Sequence, residues 1–452
     1  MKLLILVLSL FFLIPVFAYS QTGKQVLTLN DCIEIALQNN ANINTYRNLS
    51  RIAELGKTQS YSSILPQINF RFDAGRYEVG DATYLGDAVD PVTGEVSQIT
   101  LTRPAFKRNS HSANINLSQN IFDGGYWWNN IRYNKVLNKA AKQDLQYTEN
   151  QVIKTVAQYY YDLLKQKKLL EVYSAAVKRS QDQLDRTQSM YEIGSVAQVD
   201  VYRARVNLGQ DQISYLQQKN TVDQAVQMLN LAMGRDPLTD VDIDSTISVK
   251  PQELNLDDLL QNAFVNQPEL KSMELNVRSQ ELSVAMAKSP FLPNVSFGFN
   301  YNRDNELFKQ IYTDFNKNWT ISYGIRISYN LFNGFSDMVN YQTSRIQLKN
   351  SKISFEDYKR NLTSNIKVLQ NNYNAILEIV EIDKKNLEAA REEYRLANER
   401  YRLGSGTSLE LREAQVNLTQ AEQILVSAEY NTIINYLELQ EAIGKIQTAL
   451  NL

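Results

Sequence analysis

The chain has little chemistry of the kind that builds metal sites or covalent active sites: in 452 residues there is one cysteine, Cys32, and one histidine, His111. A single cysteine excludes an intrachain disulfide, and we expect Cys32 to be a buried helical residue, because a free cysteine behaves as a small apolar side chain. One cysteine and one histidine leave no zinc-type cluster and no cysteine-histidine nucleophile pair. The sequence therefore predicts neither a bound metal nor a cofactor.

An excess of charge of one sign is also missing, since 47 basic residues face 49 acidic ones and the net charge is -2. Without a basic surplus, nucleic acid is not an expected partner. The segment "GSGTS" at 404–408 lacks the third glycine and the preceding strand of a phosphate-binding loop. No nucleophile, base and orienting group can be assembled from the sequence, and the lone histidine removes the commonest general base. An enzymatic activity is kept only as a second hypothesis for the function.

The chain has only one long apolar run, from Leu3 to Ala18, which follows Lys2 and precedes Tyr19-Ser20. This pattern is typical of a secretory signal peptide, predicted here as residues 1–20. No later run approaches the roughly 20 apolar residues of a membrane-spanning helix. We therefore expect an exported protein without a helical anchor.

The sequence contains an internal repeat. "YEIGSVAQVDVYRARVNL" at 191–208 returns as "YRLGSGTSLELREAQVNL" at an offset of 210, and the Leu-Pro steps at 65–66 and 292–293 match at an offset of 227. The offset between the repeats falls by 17 residues, which indicates a 17-residue insertion in the first repeat within residues 75–110. We expect this insertion to be a loop. The predicted organisation is a first structural repeat at 21–234, an equatorial connector at 235–255 and a second repeat at 256–452. Each repeat has a helix (29–63; 256–288), two strands and two further helices.

Glycine and proline are absent from residues 126–193 and 336–403. Each stretch can form a helix of about 100 Å at ~1.5 Å rise per residue. Steps of seven from Val156 and from Ile366 meet only apolar or aromatic residues up to the "YEIGS" and "YRLGS" turns, which predicts coiled-coil seams. Glycine suits the left-handed residue that ends a helix, and Thr407 with Glu410 has capping-box spacing. The chain thus encodes two long antiparallel coiled-coil hairpins. A secreted or periplasmic coiled-coil scaffold without transport activity is the alternative.

Four segments alternate apolar and polar residues, at about 67–77, 111–122, 294–303 and 319–331. Long strands with an apolar outer face and a polar inner face are typical of an outer-membrane β-barrel. We expect flanking aromatic residues to lie at the membrane interface, namely Tyr126, Trp127, Trp128, Trp319 and Phe335. A sheet packed on the helices with one wet face would alternate equally well.

Four strands cannot close a barrel. An open sheet edge in hydrocarbon leaves backbone groups unpaired, at several kcal/mol each. The barrel must then be shared between copies of the chain: two copies would supply eight strands and three would supply twelve.

With these features in place, the sequence resembles the TolC-type outer membrane efflux proteins. The resemblance rests on the duplicated element order, the two Leu-Pro steps, the strand ends "NIFDGG" and "NLFNGF", and the turns "YEIGS" and "YRLGS". It implies a mainly α protein with β, a homotrimer with a twelve-stranded barrel in outer membrane lipid above a periplasmic α-barrel. Such a channel is the exit duct of a tripartite efflux or type I secretion system, and an adaptor protein links it to an inner-membrane pump. The turns at Gly194, Ser195, Gly404 and Ser405 would contact the adaptor.

The resemblance also implies residues that gate the periplasmic tip. Tyr401 and Asp200 match a tyrosine-aspartate link that holds the tip closed, and Glu410 and Glu413 match two acidic rings in the pore.

This sequence departs from the family pattern at two positions near the turns. Gly406 stands where the family has an arginine that makes a second closing link. In the first repeat, Arg203 occupies the position equivalent to Glu413. We therefore expect the closed state to be less stable, or to be held by different residue contacts. Each gate residue also has a structural alternative: a helix cap for Glu410, a solvated first-turn carboxylate for the aspartate, and a seam residue for the tyrosine.

Overall fold

The structure is a computed structural model that describes residues 26–245 and 254–451. The predicted signal peptide and part of the predicted connector lie outside these residues. The described chain is mainly helical with some sheet. It divides into two compact units, one comprising the chain up to Thr45, Gln146–Gln267 and the chain from Asn361, and the other comprising Tyr46–Leu145 and Pro268–Arg360.

The helices and strands follow one another along the chain. The helices are α1 (Leu29–Asn39), α2 (Ala41–Gln59), α3 (Tyr126–Glu192), α4 (Gln198–Met233), α5 (Leu256–Asn266), α6 (Pro268–Met286), α7 (Phe308–Tyr312), α8 (Ser336–Arg402), α9 (Ser408–Ala442) and α10 (Ile446–Ala449). The strands are β1 (Val26–Leu27), β2 (Gln67–Val79), β3 (Ala82–Val89), β4 (Val96–Arg103), β5 (Phe106–Asp123), β6 (Asp242–Ile243), β7 (Asn294–Asn305) and β8 (Trp319–Ser328). The stretches without glycine and proline at 126–193 and 336–403 form α3 and α8.

The helices expected at 29–63 and 256–288 are each interrupted once. Asn40 has an extended backbone, and its side-chain oxygen accepts a hydrogen bond from the backbone N–H of Asn42, so α1 ends and α2 begins at this residue. In the second case Gln267 is extended and Pro268 opens α6. A residue before proline is disfavoured in the helical region, and proline suits the first helical position.

The coiled-coil seam is buried as predicted in α8, where Ile366, Tyr373, Val380 and Leu387 are buried. In α3 the seam changes along the helix. Val156 and Leu163 are fully buried, but closer to the turn the buried positions become polar, at Ser180, Gln183 and Thr187. A straight helix drifts about 20° per heptad relative to a strict seven-residue repeat. The heptad prediction is therefore confirmed for α8 and only in part for α3.

Two glycines end α4 and α9 in the same way. Gly234 and Gly444 have φ values of +73° and +74°. A β-carbon on Gly234 would lie 2.8 Å from the carbonyl oxygen of Asn39, and one on Gly444 would lie 2.7 Å from that of Asn266. Both the backbone conformation and the close approach require glycine. The two glycines are 210 residues apart and the two asparagines 227, which are the offsets found in the sequence.

The side chains that follow these asparagines make a matching pair of contacts. Asn40 Nδ2 donates to the carbonyl of Ala232 at 3.0 Å, and Gln267 Nε2 donates to the carbonyl of Ala442 at 3.2 Å. These pairs are also related by the offsets 227 and 210. Each amide therefore satisfies a carbonyl at a helix end, where no intrahelical donor is available.

The second unit contains a four-stranded antiparallel sheet in the order β2-β5-β7-β8. Its register places apolar side chains in line across all four strands, in the row Phe70, Ile115, Tyr301, Ile321. The neighbouring row is polar, with Asn69, Asn116, Asn300 and Ser322. Since successive side chains point to opposite faces, the sheet has one apolar and one polar face. Phe70 and Tyr323 on the apolar face are 70% and 75% exposed, so this face is not packed on helices as the alternative required.

The insertion within 75–110 differs from the expectation of a loop. Strands β2 and β5 extend into it, and between them β3 and β4 form a separate two-stranded sheet. The connection between β7 and β8 contains the short helix α7. The last predicted strand, 319–331, ends at Ser328. In the first unit, β1 pairs in parallel with β6 from the predicted connector.

Candidate functional site

The two Gly-Ser turns that join the long helices have the same geometry. Gly194 and Gly404 both have φ +74°, and each donates its N–H to the carbonyl three residues before it, at 2.8 and 3.1 Å. Ser195 and Ser405 donate to the carbonyl five residues before them, at 2.8 and 2.9 Å. This pair of bonds is the Schellman motif, which satisfies the last carbonyls of a helix. The prediction of left-handed helix ends at these glycines is confirmed.

The turns also present apolar side chains that the sequence reading had not singled out. Ile193 and Leu403 immediately precede the two glycines and are 81% and 75% exposed. They are related by the repeat offset of 210, which is the signal that could have identified them. Exposed apolar residues on a tight turn are candidate contacts for a partner protein.

Glu410 forms the predicted helix cap. Its backbone N–H donates to Thr407 Oγ1 at 3.1 Å, and its carboxylate accepts from the Thr407 backbone N–H at 3.3 Å. Arg400 Nη2 lies 3.6 Å from the same carboxylate, although both side chains are about half exposed, so this pair contributes little to stability. Glu413 is exposed one turn further along α9. The two carboxylates lie on one face of the helix because residues three apart are neighbours.

Asp200 lies in the first turn of α4 and contacts the start of α9. Its Oδ1 accepts hydrogen bonds from Arg203 Nη1 at 2.9 Å and from Ser408 Oγ at 3.3 Å. Arg203 also approaches Ser408 Oγ at 3.4 Å. The arginine that stands in place of an acidic residue thus holds Asp200 and spans the two hairpins.

Tyr401 makes no hydrogen bond with Asp200. Its hydroxyl lies 3.0 Å from Oγ1 of Thr187 on α3, and both side chains are buried. Thr187 uses its own proton to donate to the backbone carbonyl of Gln183 at 2.8 Å, so Tyr401 is the donor in the tyrosine-threonine bond. The structure brings Tyr401 to α3, whereas the resemblance places its partner at the start of α4.

A third polar link joins the hairpins further from the turns. Arg412 of α9 makes a bidentate ion pair with Asp211 of α4, at 2.7 and 2.9 Å, and also donates to Ser180 of α3 at 3.2 Å. Ser180 donates in turn to Asp211. The arginine and aspartate side chains are only 19% and 14% exposed. Such bidentate charged hydrogen bonds are strong and directional. No periodic pattern along the chain indicates this cluster.

More polar bonds follow along the same helices. Arg179 donates to Thr419 at 2.9 Å and approaches Glu422 at 3.3 Å, and Arg186 donates to Asn398 at 3.0 Å. Within the first unit, α3 therefore meets the second hairpin through individual polar bonds.

The aromatic residues predicted for the membrane interface flank the strands of the second unit. Tyr126, Trp127 and Trp128 open α3 directly after β5, and the two tryptophan rings stack with centroids 4.2 Å apart. Phe335 precedes α8, whereas Trp319 begins β8 at the other end of the strand. Tyr126, Trp128, Trp319 and Phe335 are all exposed. Aromatic side chains thus lie at both ends of the sheet, and their place at a membrane interface stays a prediction.

Metal binding and helical membrane spans were considered for the same residues. Within residues 26–245 and 254–451, no group of three or more His, Cys, Asp and Glu side chains is arranged to hold a metal ion. No helix in these ranges combines the length and the apolar character needed to cross a lipid bilayer.

Several known proteins are similar to this chain over most of its length. TolC of Escherichia coli (strain K12) is 25% identical over 354 residues, covering 75% of this chain and 70% of TolC. The probable efflux pump outer membrane protein TtgC of Pseudomonas putida is 22% identical over 315 residues, covering 68% of this chain. That alignment spans 63% of TtgC, slightly less than two thirds of its length.

Among solved structures, the Campylobacter jejuni CmeC outer membrane channel shares the fold, with a TM-score of 0.79 at 18% identity over 92% of this chain and 86% of CmeC. These relatives are efflux proteins and channels rather than enzymes. The family model for outer membrane efflux proteins matches residues 32–235 and 259–445, which is most of the chain. The chain therefore belongs to the outer membrane efflux protein family and is a protein of the outer membrane.

Proposed function

We propose that the chain is one subunit of a homotrimeric, passive exit duct. The observation that carries this proposal is the four-stranded sheet, whose outer strands β2 and β8 have free edges and whose apolar face is exposed. In hydrocarbon such edges must be paired, because each unsatisfied backbone group costs several kcal/mol. Three copies would supply twelve strands and leave no edge, with the polar row facing a water-filled lumen.

The helical hairpins then form a tunnel in the periplasm that ends at the Gly-Ser turns. We assign the closed gate to the bonds at these turns, with Glu410 and Glu413 as acidic groups facing the pore and with Asp200 and Tyr401 as hairpin links. A periplasmic adaptor that binds the turns more tightly in the open state shifts the population toward that state. Ile193 and Leu403 are the apolar contacts available to it.

The internal repeat is part of the same proposal. The glycine helix ends and the amide bonds support it, because the corresponding contacts recur at the offsets found in the sequence. Three copies with two halves each would surround the tunnel with six similar hairpins. Transport energy would come from an inner-membrane pump, since the duct itself only opens and closes.

Fractionation followed by sizing tests this function. We expect the protein to stay with the outer membrane in high salt, to require detergent for extraction, and to run as a trimer in native mass measurements. The trimer should conduct ions in planar lipid bilayers. Recovery as a water-soluble monomer would exclude the duct and favour the coiled-coil scaffold.

A further inference from the structure

The residues of the two free sheet edges, β2 and β8, define the strand register in which copies of the chain join. We propose that β8 pairs antiparallel with β2 of the next copy in the register that places Arg326 opposite Asp73 of that copy and Ile327 opposite its Phe72. This inference rests on the proposed trimer and adds the residues by which its subunits meet.

The register follows from the repeat. In the first half, β2 pairs with β5 from Gln67↔Ser118 to Arg76↔Asn109. Adding 227 to the β2 residues and 210 to the β5 residues yields the pairs of β7 with β8. The ten observed pairs, from Asn294↔Ser328 to Arg303↔Trp319, are all reproduced. The offsets therefore convert one strand pairing into its equivalent without error.

The pairing between the two halves is β5 with β7, and its equivalent is β8 with β2 of the next copy. Asn116↔Asn300 becomes Arg326↔Asp73, and Leu117↔Phe299 becomes Ile327↔Phe72. The first of these two derived pairs sets a polar residue opposite a polar one, and the second sets an apolar residue opposite an apolar one. A shift by one residue would reverse the faces of the whole strand.

The derived register is also complementary in charge. Arg326 has no ion-pair partner among the described residues, and it lies on the polar face. Asp73 has Arg71 at 3.1 Å, but both side chains are more than half exposed, so the aspartate can accept a second cation. Opposite charges directly across an antiparallel pair are stabilising, and like charges are destabilising.

A glycine turn supports the same junction. At the end of β5, a β-carbon on Gly124 would overlap the backbone oxygen of Ser289, so this turn is packed closely on the second half. The equivalent residues are Gly334 and Ser62. Gly334 has φ +68° but faces open space, and Ser62 is exposed. In the proposed assembly, Gly334 packs on Ser62 of the next copy.

The early end of β8 has the same explanation. Strand β5 continues to Asp123, which corresponds to residue 333, and its last residues pair with β7. Strand β8 ends at Ser328, because a single chain has no strand on that side. Pairing with β2 of the next copy should extend β8 to about residue 333, with a bulge at the position equivalent to that between Asn120 and Phe122.

The helical unit points to the same neighbour. Gln158 of α3 donates to Glu438 of α9 at 2.8 Å, and the equivalent residues between copies are Val368 and Met228. These are 51% and 47% exposed in the single chain. The polar bond between the halves thus corresponds to an apolar contact between copies, which accounts for two apolar side chains that face water in one chain.

Disulfide cross-linking tests the register directly. In a Cys32→Ser background, Ile327→Cys combined with Phe72→Cys should form covalent trimers under oxidation. The matched control combines Ile327→Cys with Phe70→Cys, which lies two residues away on the same face. Diagonal β-carbons lie about 7–8 Å apart, whereas a disulfide needs about 3.5–4.5 Å. We expect at least about fivefold less cross-linking in the control.

A second cysteine pair makes the result independent of whether one strand position has the geometry that a disulfide needs. Hydrogen-bonded and non-hydrogen-bonded pairs alternate along an antiparallel ladder, so Ser328→Cys with Arg71→Cys samples the other type. At least one of the two derived pairs should link into trimers. In the helices, Val368→Cys with Met228→Cys should link by a short bifunctional reagent.

Charge exchange provides a readout without cysteine. Arg326→Asp should lower the temperature at which the trimer dissociates in SDS, because two carboxylates would face one another. Asp73→Arg should restore part of the loss when the two changes are combined.

The register is overturned if the particle is a trimer and only the shifted control cross-links, or if neither derived cysteine pair cross-links. A particle that is monomeric in detergent before any substitution would instead overturn the proposed trimer itself.

Discussion

The buried hydroxyl of Tyr401 donates a hydrogen bond to Oγ1 of Thr187 at 3.0 Å and so ties α8 to α3 a few residues before both turns. The family resemblance instead pairs this tyrosine with Asp200, which here accepts hydrogen bonds from Arg203 and Ser408. The observed partner changes which substitutions should open the tip.

We predict that Tyr401→Phe and Thr187→Val favour the open channel to a similar extent. Tyr401→Phe removes one buried hydrogen bond, worth about 1 kcal/mol, which is about a fivefold change in the open-to-closed ratio. Thr187→Val removes the same bond and also the bond to the Gln183 carbonyl, which lies within α3 and does not join the two helices. Asp200→Asn should have a smaller effect, because it keeps a hydrogen-bonding oxygen. Single-channel recording in planar bilayers measures the open fraction. Strong opening by Asp200→Asn with none by Thr187→Val would restore the family's tyrosine-aspartate link.

The two carboxylates of α9 should separate by function. Glu413 is exposed and makes no cap, so Glu413→Ala should leave thermal stability unchanged while weakening block of the channel by divalent cations. Glu410→Ala should also destabilise the start of α9 by about 1 kcal/mol, because the capping box is lost. Conductance with and without divalent cations, beside thermal unfolding, distinguishes the two. If the double alanine variant conducts and is blocked like the original protein, the acidic pore groups lie elsewhere.

The glycines that end α4 and α9 should not tolerate a β-carbon. Gly234→Ala and Gly444→Ala each force a left-handed alanine, at about 1–2 kcal/mol, and add a contact below 3.0 Å with backbone. Both should lower the apparent melting temperature of the detergent-solubilised protein. Gly56→Ala, inside α2, is the control, since its β-carbon would meet only Asn134 Oδ1 of α3 at an ordinary 3.6 Å. It should raise stability by about 0.5–1 kcal/mol; equal losses in all three would contradict this account.

Cys32 should be unreactive in the folded protein. Its side chain is fully buried, and burial raises the pKa of the thiol to about 12, so almost no thiolate is present at neutral pH. Maleimide labelling should therefore follow unfolding in guanidinium rather than the concentration of reagent. Mass spectrometry counts the labelled fraction. Rapid stoichiometric labelling under native conditions would show that α1 is not packed as described.

The cap of α1 should make stability depend on acid pH. Hydrogen bonds from the side chain and backbone of Thr28 lower the pKa of Asp31 below its usual value. The carboxylate therefore contributes its full stabilisation above about pH 4 and loses it as pH falls through the lowered pKa. Asp31→Asn should cost about 1 kcal/mol at neutral pH and flatten the acid limb of melting temperature against pH. Gln38→Ala, on the exposed side of the same helix, should leave that limb intact.

Much of the fold could be predicted from apolar periodicity and from the residues that begin or end helices. The absence of glycine and proline located α3 and α8, and Gly194, Gly404 and the Thr407-Glu410 pair located the turns, because these residues act through local backbone geometry. The β3–β4 hairpin was missed because its apolar residues do not alternate cleanly and no core covers them. The break at Asn40 was missed because its backbone conformation is selected by contacts with the end of α4, far along the chain.

By itself the sequence determined the long hairpins, the alternating strands and the repeat offsets, since each depends on spacing along one chain. Only the tertiary structure decided that Tyr401 meets Thr187 and that Arg412 meets Asp211 and Ser180. Those partners lie about 200 residues apart, and their meeting depends on the rotation of one long helix against another. A drift of about 20° per heptad is enough to replace one seam residue by its neighbour, and no local pattern records that rotation.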